Sequence, residues 1–547
     1  MRAVFNRLRI RRESFERYDP VVAVLFIVLA ALVLTTFHSY AISNDEEVQQ
    51  HYGELIIAYY RSGFTDQDVF HYINLYLYGG LFDIVAVLLQ HVLTFIDPYD
   101  LRHILCAMTG VAGIGATWAT ARLVAGPRAG IIAAVALTLC GPWYGAMFNH
   151  TKDIPFAAAM MGATYFLLRA ARDLPKPRHG DVIAFGLLLG AALGMRVLGL
   201  LMIGYVAIVI ALRMIGMGYF AAGARREGLR FFAQSAISFV PAFVIGYLVM
   251  IAAWPWSALS PLNPIRGLID FGHFHYQIQT VLDGRVYEMG NVPRWYVPVY
   301  LLIKLPLVML AGAAISAFFI RWVGVRRGGM PASRREIALL AFIALFPVIC
   351  EVVDRGPAFT GMRHFLFVVP VVATLAGIGF DLMLTWFGSR SRAVAIGAST
   401  ALSAVFAWNA AILVELHPDE YLYYNSLVGG LKGAAPLYAT DYWVNIMPEA
   451  VQDLEAFVTK LDKKDGRGRR YTVAVCGERL PFEKRADARL QWVEDWRKAD
   501  FFIAPTHMNC DRALDGKIIA TIQRLGAPIG VVKDRRALVM PQVASHR

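Results

Sequence analysis

The chain has 547 residues, 57% of them hydrophobic and only 17% charged, with a formal net charge of +12. Repeated apolar runs of about 17–25 residues exclude an ordinary soluble domain and mark membrane helices. The positive charge does not point to nucleic acid, because Lys and Arg sit between the apolar runs, where the positive-inside rule places them.

The N-terminus carries Arg2, Arg7, Arg9, Arg11, Arg12 and Arg17 and is expected in the cytoplasm. The run VVAVLFIVLAALVLTT at 21–36 lacks a small-residue cleavage site, so it reads as a retained helix over roughly 20–38 that runs outward. Later cationic loops carry Arg122/Arg128, Arg172/Lys176/Arg178, Arg213/Arg225/Arg226/Arg230, Arg321/Arg326/Arg327/Arg334/Arg335 and Arg390/Arg392. Keeping all of them cytoplasmic requires spans near 103–121, 127–146, 154–171, 181–195, 197–213, 232–253, 296–320, 337–352, 365–387 and 395–414, about eleven with the first. Residues 78–96 carry Asp83, Gln90 and His91; a crossing there would invert every later loop, so an interfacial or re-entrant helix is expected, with a polar trio in a true span as the alternative.

The non-cytoplasmic face then collects 39–102, 147–153, 254–295, 353–364 and everything after about 415. This divides the chain into a membrane domain, 1–414, and a soluble α/β domain, 415–547. In the latter, 472–477, 501–505 and 529–532 read as strands, 515–524 as a short helix and 461–470 as a flexible loop. Of the five Cys, Cys106, Cys140 and Cys350 lie in or beside apolar segments and read as packing residues, whereas Cys476 and Cys510 are placed to pair if the tail meets an oxidising compartment.

Four polar constellations lie on that face. Asp45, Glu46 and Glu47 follow the first helix and open a helical stretch in which Tyr52, Leu55, Ile56 and Tyr59 share one side; acids also suit a helix N-terminus, so capping is the competing reading. Asn149, His150, Lys152 and Asp153 sit between two membrane helices, with Pro155 in the first turn of the second, and Asp153 again reads either as a cap or as a chemical group. Arg196, Arg355, Arg363 and His364 place positive charge where it is normally avoided. Such an Arg either snorkels or meets a partner, and a lipid phosphate fits because guanidinium binds phosphate bidentately. The loop with WPWS at 254–257 and FGHFHYQIQ at 271–279 reads as an aromatic belt or a sugar or lipid contact; His273 and His275 lack the companions of a zinc site.

At these residues the chain resembles the GT-C membrane glycosyltransferases, in the group of protein O-mannosyltransferase-like enzymes that includes the lipid A aminoarabinose transferases (glycosyltransferase family 39-like). The resemblance covers about 1–415 and rests on Asp45-Glu46 opening the first outer loop, Asp153-Ile154-Pro155 in the second, and Arg363-His364-Phe365 at a late helix start. Segment 421–450 resembles uncharacterised bacterial members. Where relatives carry a Lys-Pro-Pro-like stretch, this chain has HYINLYLYGG at 71–80, so His71, Tyr72 or Asn74 stand in for those contacts.

The resemblance implies an α-helical polytopic fold with juxtamembrane helices and a sugar donor on polyprenyl phosphate. It implies Asp45 as general base, with Glu46 and Asp153 beside it, and inversion in one displacement. Arg196, Arg363, His364 and Lys152 would bind the donor phosphate; Tyr52, His71, Tyr72, Asn74 and His150 would contact sugar or acceptor. The product would be a hexosyl or pentosyl transfer to a lipid, glycan or protein hydroxyl in a bacterial inner membrane, active face periplasmic. A divalent cation is compatible with the first-loop acids but not required. A lipid-linked sugar transporter or flippase is the competing class, disfavoured by the lack of paired half-helix symmetry; a structural subunit is a third.

Overall fold

The computed structural model describes residues 18–221, 223–273, 278–319, 334–354, 358–465 and 469–539. Helix α1 (Asp19–Thr36) is apolar on all sides and mostly exposed, as a lipid-facing helix must be. It leads through a short turn into α2 (Glu46–Arg61), which buries Tyr52, Ile56 and Tyr59 on one side. The helix α3 (Leu81–Gln90) has ten residues, too few to cross a bilayer, so the segment 78–96 does not span. It lies against the ends of the bundle: the Leu81 N–H donates to Gly194 O at 3.0 Å and the Gly80 N–H to Ala253 O at 2.9 Å.

The bundle continues with α4 (Pro98–Ala125), α5 (Pro127–Thr138), α6 (Gly141–Asn149), α7 (Asp153–Arg172), α8 (His179–Leu193), α9 (Leu201–Gly216) and α10 (Arg225–Ala253). After an outer segment come α11 (Tyr296–Lys304), α12 (Leu307–Phe319), α13 (Arg334–Asp354), α14 (Val369–Arg390) and α15 (Arg392–Leu416). Among the described residues eight helices are long and apolar enough to cross a membrane, or ten if the bent pairs α5–α6 and α11–α12 each count as one. The expected crossing at 181–195 is the 15-residue α8, which stops where the chain turns at Gly194. The protein is therefore a multi-pass membrane protein.

Helices meet through small residues, the usual route to close packing in lipid. A Cβ on Gly190 of α8 would stand 2.5 Å from Val249 of α10, and one on Gly312 of α12 would stand 2.5 Å from the Phe380 ring. The cationic loops gather at one end, where Arg122 pairs with Asp19, Arg172 with Glu336 at 2.8 Å and Arg128 with Asp381 at 2.6 Å.

After α15 the chain folds back over the other end. A Cβ on Gly141 would meet Glu420 O at 2.6 Å, so α6 lies directly beneath residues 420–423. Helix α16 (Met447–Asp465) then packs on a five-stranded sheet: β1 (Tyr471–Val475), β2 (Leu490–Trp492), β3 (Phe501–Pro505), β4 (Lys517–Arg524) and β5 (Ala527–Asp534), in the order β2-β1-β3-β5-β4. The first three strands are parallel, and β5 and β4 close the sheet antiparallel. Cys476 and Cys510 form a disulfide beside it.

Two expectations about the tail fail. Residues 517–524 are a strand, not a helix: Leu525 and Gly526, both at positive φ (48° and 73°), make the two-residue turn that pairs them with β5. Residues 461–465 continue α16 instead of forming a loop; 466–468 lie outside the described residues. Arg355, His275 and the His273 side chain also lie outside them.

Candidate active site

The turn after α1 is held from below. The Ser43 N–H donates to Glu46 Oε2 at 2.7 Å, and the His103 ring meets the same carboxylate at 3.2 Å. Glu46 is fully buried, and its charge is used in fixing the loop. Asp45, the N-cap residue of α2, makes no capping bond. Its Oδ2 accepts from Arg363 at 2.8 Å instead.

Asp153 begins α7 and does not cap it either. Its Oδ2 lies 3.1 Å from Arg363 Nε, and its Oδ1 is bound by Arg196. An alternating chain results, Asp45–Arg363–Asp153–Arg196, brought together from the turn after α1, the start of α7, the turn after α8 and the 3-10 turn before α14. Its members are largely buried except Asp45, whose side chain is 41% exposed.

The tail supplies the other wall. The Arg363 guanidinium lies 4.5 Å from the centre of the Trp443 ring, a cation–π contact. The Trp443 indole N–H donates to His150 Nε2 at 3.0 Å. Indole is a donor only, so that nitrogen carries no proton; Nδ1 does, and donates to Asn149 Oδ1 at 3.0 Å. Burial agrees, holding His150 down to about 3 against the nearby pull of Asp153. Tyr442 OH reaches the same Nε2 at 2.8 Å. Lys152 stands 4.3 Å over the Tyr78 ring, and burial draws its ammonium down to about 8.

The remaining predicted residues fall around this centre. His364 follows Arg363 and sets its ring edge on Phe359. Tyr52 is buried, and its hydroxyl donates to Tyr78 O at 2.9 Å, so it shapes the wall under Lys152. His71 is exposed, and Tyr72 turns onto His51 at 4.8 Å rather than toward the acid–arginine chain; Asn74 is half-buried before the turn Leu75–Leu77. Beneath the centre, buried Arg102 ties Asp83 (2.7 Å) to Gln49 (3.3 Å), fixing α2 and α3 on α4.

Tyr442, Trp443 and Lys304 were not among the predicted site residues. The first two lie in the segment 421–450 already singled out, where the density of Tyr and Trp was the available signal. Lys304 closes an apolar run and reads from sequence only as a snorkelling cation. Among the described residues no three His, Cys, Asp or Glu side chains converge as cation ligands.

Two openings adjoin the centre. A narrow cleft of about 20 Å³ lies between His150, Lys304, Gly361, Arg363, Tyr421 and Tyr442. An apolar groove of about 260 Å³ starts at Val197, next to Arg196, and runs between α9 and α13 along Leu201, Tyr205, Phe342 and Phe346.

Residues 100–224, which include Lys152, Asp153 and Arg196 but neither Asp45 nor Arg363, match the family model of dolichyl-phosphate-mannose-protein mannosyltransferases. The structure is similar to that of ArnT from Cupriavidus metallidurans in the apo state, at 15% identity and a TM-score of 0.51, over 96% of this chain and 99% of that one. The chain has the GT-C fold. ArnT bound to undecaprenyl phosphate aligns at a TM-score of 0.49 and 15% identity, over 94% of this chain and 98% of that one. The Archaeoglobus fulgidus oligosaccharyltransferase tethered to an acceptor peptide aligns at 0.44 and 14% identity, over 84% and 62%. No curated protein matches the chain in sequence.

Proposed function

We propose that this GT-C protein is a membrane glycosyltransferase that moves a sugar from a polyprenyl-phosphate carrier to an acceptor hydroxyl. The observation that carries the reading is the chain Asp45–Arg363–Asp153–Arg196, in which only the carboxylate of Asp45 is open to a substrate. A polyprenyl chain fits the apolar groove that begins beside Arg196, which sets its phosphate at the two guanidinium groups.

In this scheme Asp45 takes the acceptor O–H proton as that oxygen bonds to the anomeric carbon. The bond from that carbon to the phosphate oxygen breaks on the opposite side, giving inversion and a free polyprenyl phosphate. Arg363 and Arg196 stabilise the charge that collects on the leaving phosphate. Without substrate, Arg363 is held by Asp45; an arriving phosphate competes for the guanidinium and leaves Asp45 free to act as base. Asp153 keeps the two arginines in place, and Glu46 holds the loop rather than meeting substrate. Lys152 adds positive potential, His364 packs beside Arg363, Tyr52 and His150 shape the wall, and His71, Tyr72 and Asn74 lie farther out, where an acceptor would approach.

The reading puts the site and the domain 415–547 on the periplasmic face of a bacterial inner membrane. The cationic ends of the helices lie at the opposite end, and the Cys476–Cys510 disulfide suits an oxidising compartment. The test is transfer of radiolabelled hexose or pentose from defined polyprenyl-phosphate donors into membranes that supply acceptors, with wild type and Asp45→Asn. New labelled product with wild type alone supports the reading. Label that stays on the carrier in both, across the donor panel, overturns it in favour of transport.

A further inference from the structure

Lys304 ends α11 at the point where the chain bends by 108° into α12. Its side chain is 4% exposed. The ammonium donates one hydrogen bond, to Tyr421 O at 2.8 Å, and lies 4.1 Å over the Tyr424 ring. No carboxylate pairs with it among the described residues. The buried arginines around the site all have acids: Arg102 has Asp83, Arg363 has Asp45 and Asp153, and Arg196 has Asp153; Lys152, like Lys304, is set over a tyrosine ring instead.

A buried lysine with no acid beside it is fully charged only when something pairs with it, and such groups mark binding sites in membrane proteins. Lys304 lines the narrow cleft together with Arg363, His150, Tyr421 and Tyr442. That lining holds two cations and no carboxylate, and its histidine is neutral. The cleft lies beside Arg363, and its residues come from α6 and the turn after it, α11, the turn before α14 and the tail.

We propose that Lys304 receives a second oxyanion of the substrate, beyond the phosphate that Arg363 and Arg196 address; this rests on the glycosyltransfer reading. Two sources share that chemistry: a carboxylate on the sugar, as in a uronic acid, or the second phosphate of a diphosphate-linked donor. Either would give Lys304 the ionic partner that the protein withholds.

The experiment uses full-length protein in detergent and three short-chain prenyl lipids: phosphate-linked glucose, phosphate-linked glucuronate and diphosphate-linked glucose. Binding is followed by tryptophan fluorescence, with Trp443 against the Arg363 guanidinium that lines the cleft, so it needs no turnover. Wild type should bind the glucuronate or the diphosphate lipid at least about tenfold more tightly than the phosphate-linked glucose, the scale of one charge-assisted contact. Which of the two is preferred names the source. Lys304→Met should bring the three affinities within about twofold, and Lys304→Arg should keep part of the preference. Equal binding of all three by wild type overturns the proposal, as does a preference that survives in Lys304→Met. If Lys304→Met does not fold, Lys304→Gln carries the same comparison. A charge preference without labelled product in a parallel transfer assay would sink the glycosyltransfer reading while leaving the oxyanion site standing.

Discussion

Asp45 and Arg363 are 318 residues apart in the chain and 2.8 Å apart in space. The pairing joins the turn after α1 to the entry of a late membrane helix, so the proposed base and the proposed phosphate ligand report on one another. Asp45→Asn should keep the fold, because the side chain is half open and makes no cap. It should lower transfer by about 100- to 10,000-fold, the usual worth of a general base. Product formation alongside a thermal melt checks both halves.

Arg363→Met should cost transfer about 100- to 1,000-fold, as the loss of one preorganised charge donor does. Arg363→Lys should recover little, since Lys cannot reach two carboxylates and lie flat on Trp443 at once. Comparing kcat for the two variants decides it.

Asp153 is held by both Arg363 and Arg196, and it is buried. Asp153→Asn leaves one guanidinium unpaired and weakens the other, so a loss of stability near 3 kcal/mol or more is expected, in addition to lost activity. A large fall in melting temperature in this variant but not in Asp45→Asn would separate the positioning acid from the reacting one.

His150 is held neutral by burial, down to about 3 from an ordinary 6.5. Between those values the unfolded chain binds a proton that the folded chain refuses. Its contribution to stability is therefore complete above about pH 6.5 and is lost as pH falls toward 3. His150→Gln should flatten the slope of melting temperature against pH across that window; an unchanged slope would assign it to other groups.

The disulfide closes a separation of 34 residues and ties the end of β1 to the turn that carries His507. The Thr440 N–H donates to His507 Nδ1 at 3.3 Å, two residues before Tyr442. Cys510→Ser should lower the stability of the tail by about 4 kcal/mol on chain-entropy grounds. Faster proteolysis within 471–534 is the readout.

The membrane layout, the short helix at 81–90 and the three sheet strands nearest the core were legible because long apolar runs, Arg placement and β-branched runs act locally. Arg196 and Arg363 stood out in the sequence because positive charge is rare on the face where they were expected, and Asp45 and Asp153 because they open the polar loops and fit the motifs of the resemblance. Their order of pairing was not, since it depends on contacts across hundreds of residues. Glu46 illustrates the limit: next to Asp45 in sequence, it points into the protein toward His103 because α2 begins there. The strand at 517–524 was misread because Ile518, Ile519 and Ile522 fit a helix period as well as a sheet, and the deciding Leu525-Gly526 turn is weak as a signal.

Trp443 lies beyond the last membrane helix, yet it forms a wall of a site whose other members are all made before it. A ribosome inserting this chain completes every transmembrane segment while the guanidinium of Arg363 still lacks its aromatic cover and His150 its indole donor. The centre can be completed only after residues 420–443 have been made and laid over α6. Nascent chains would thus stay inert during insertion, and function would begin as the final act of biogenesis.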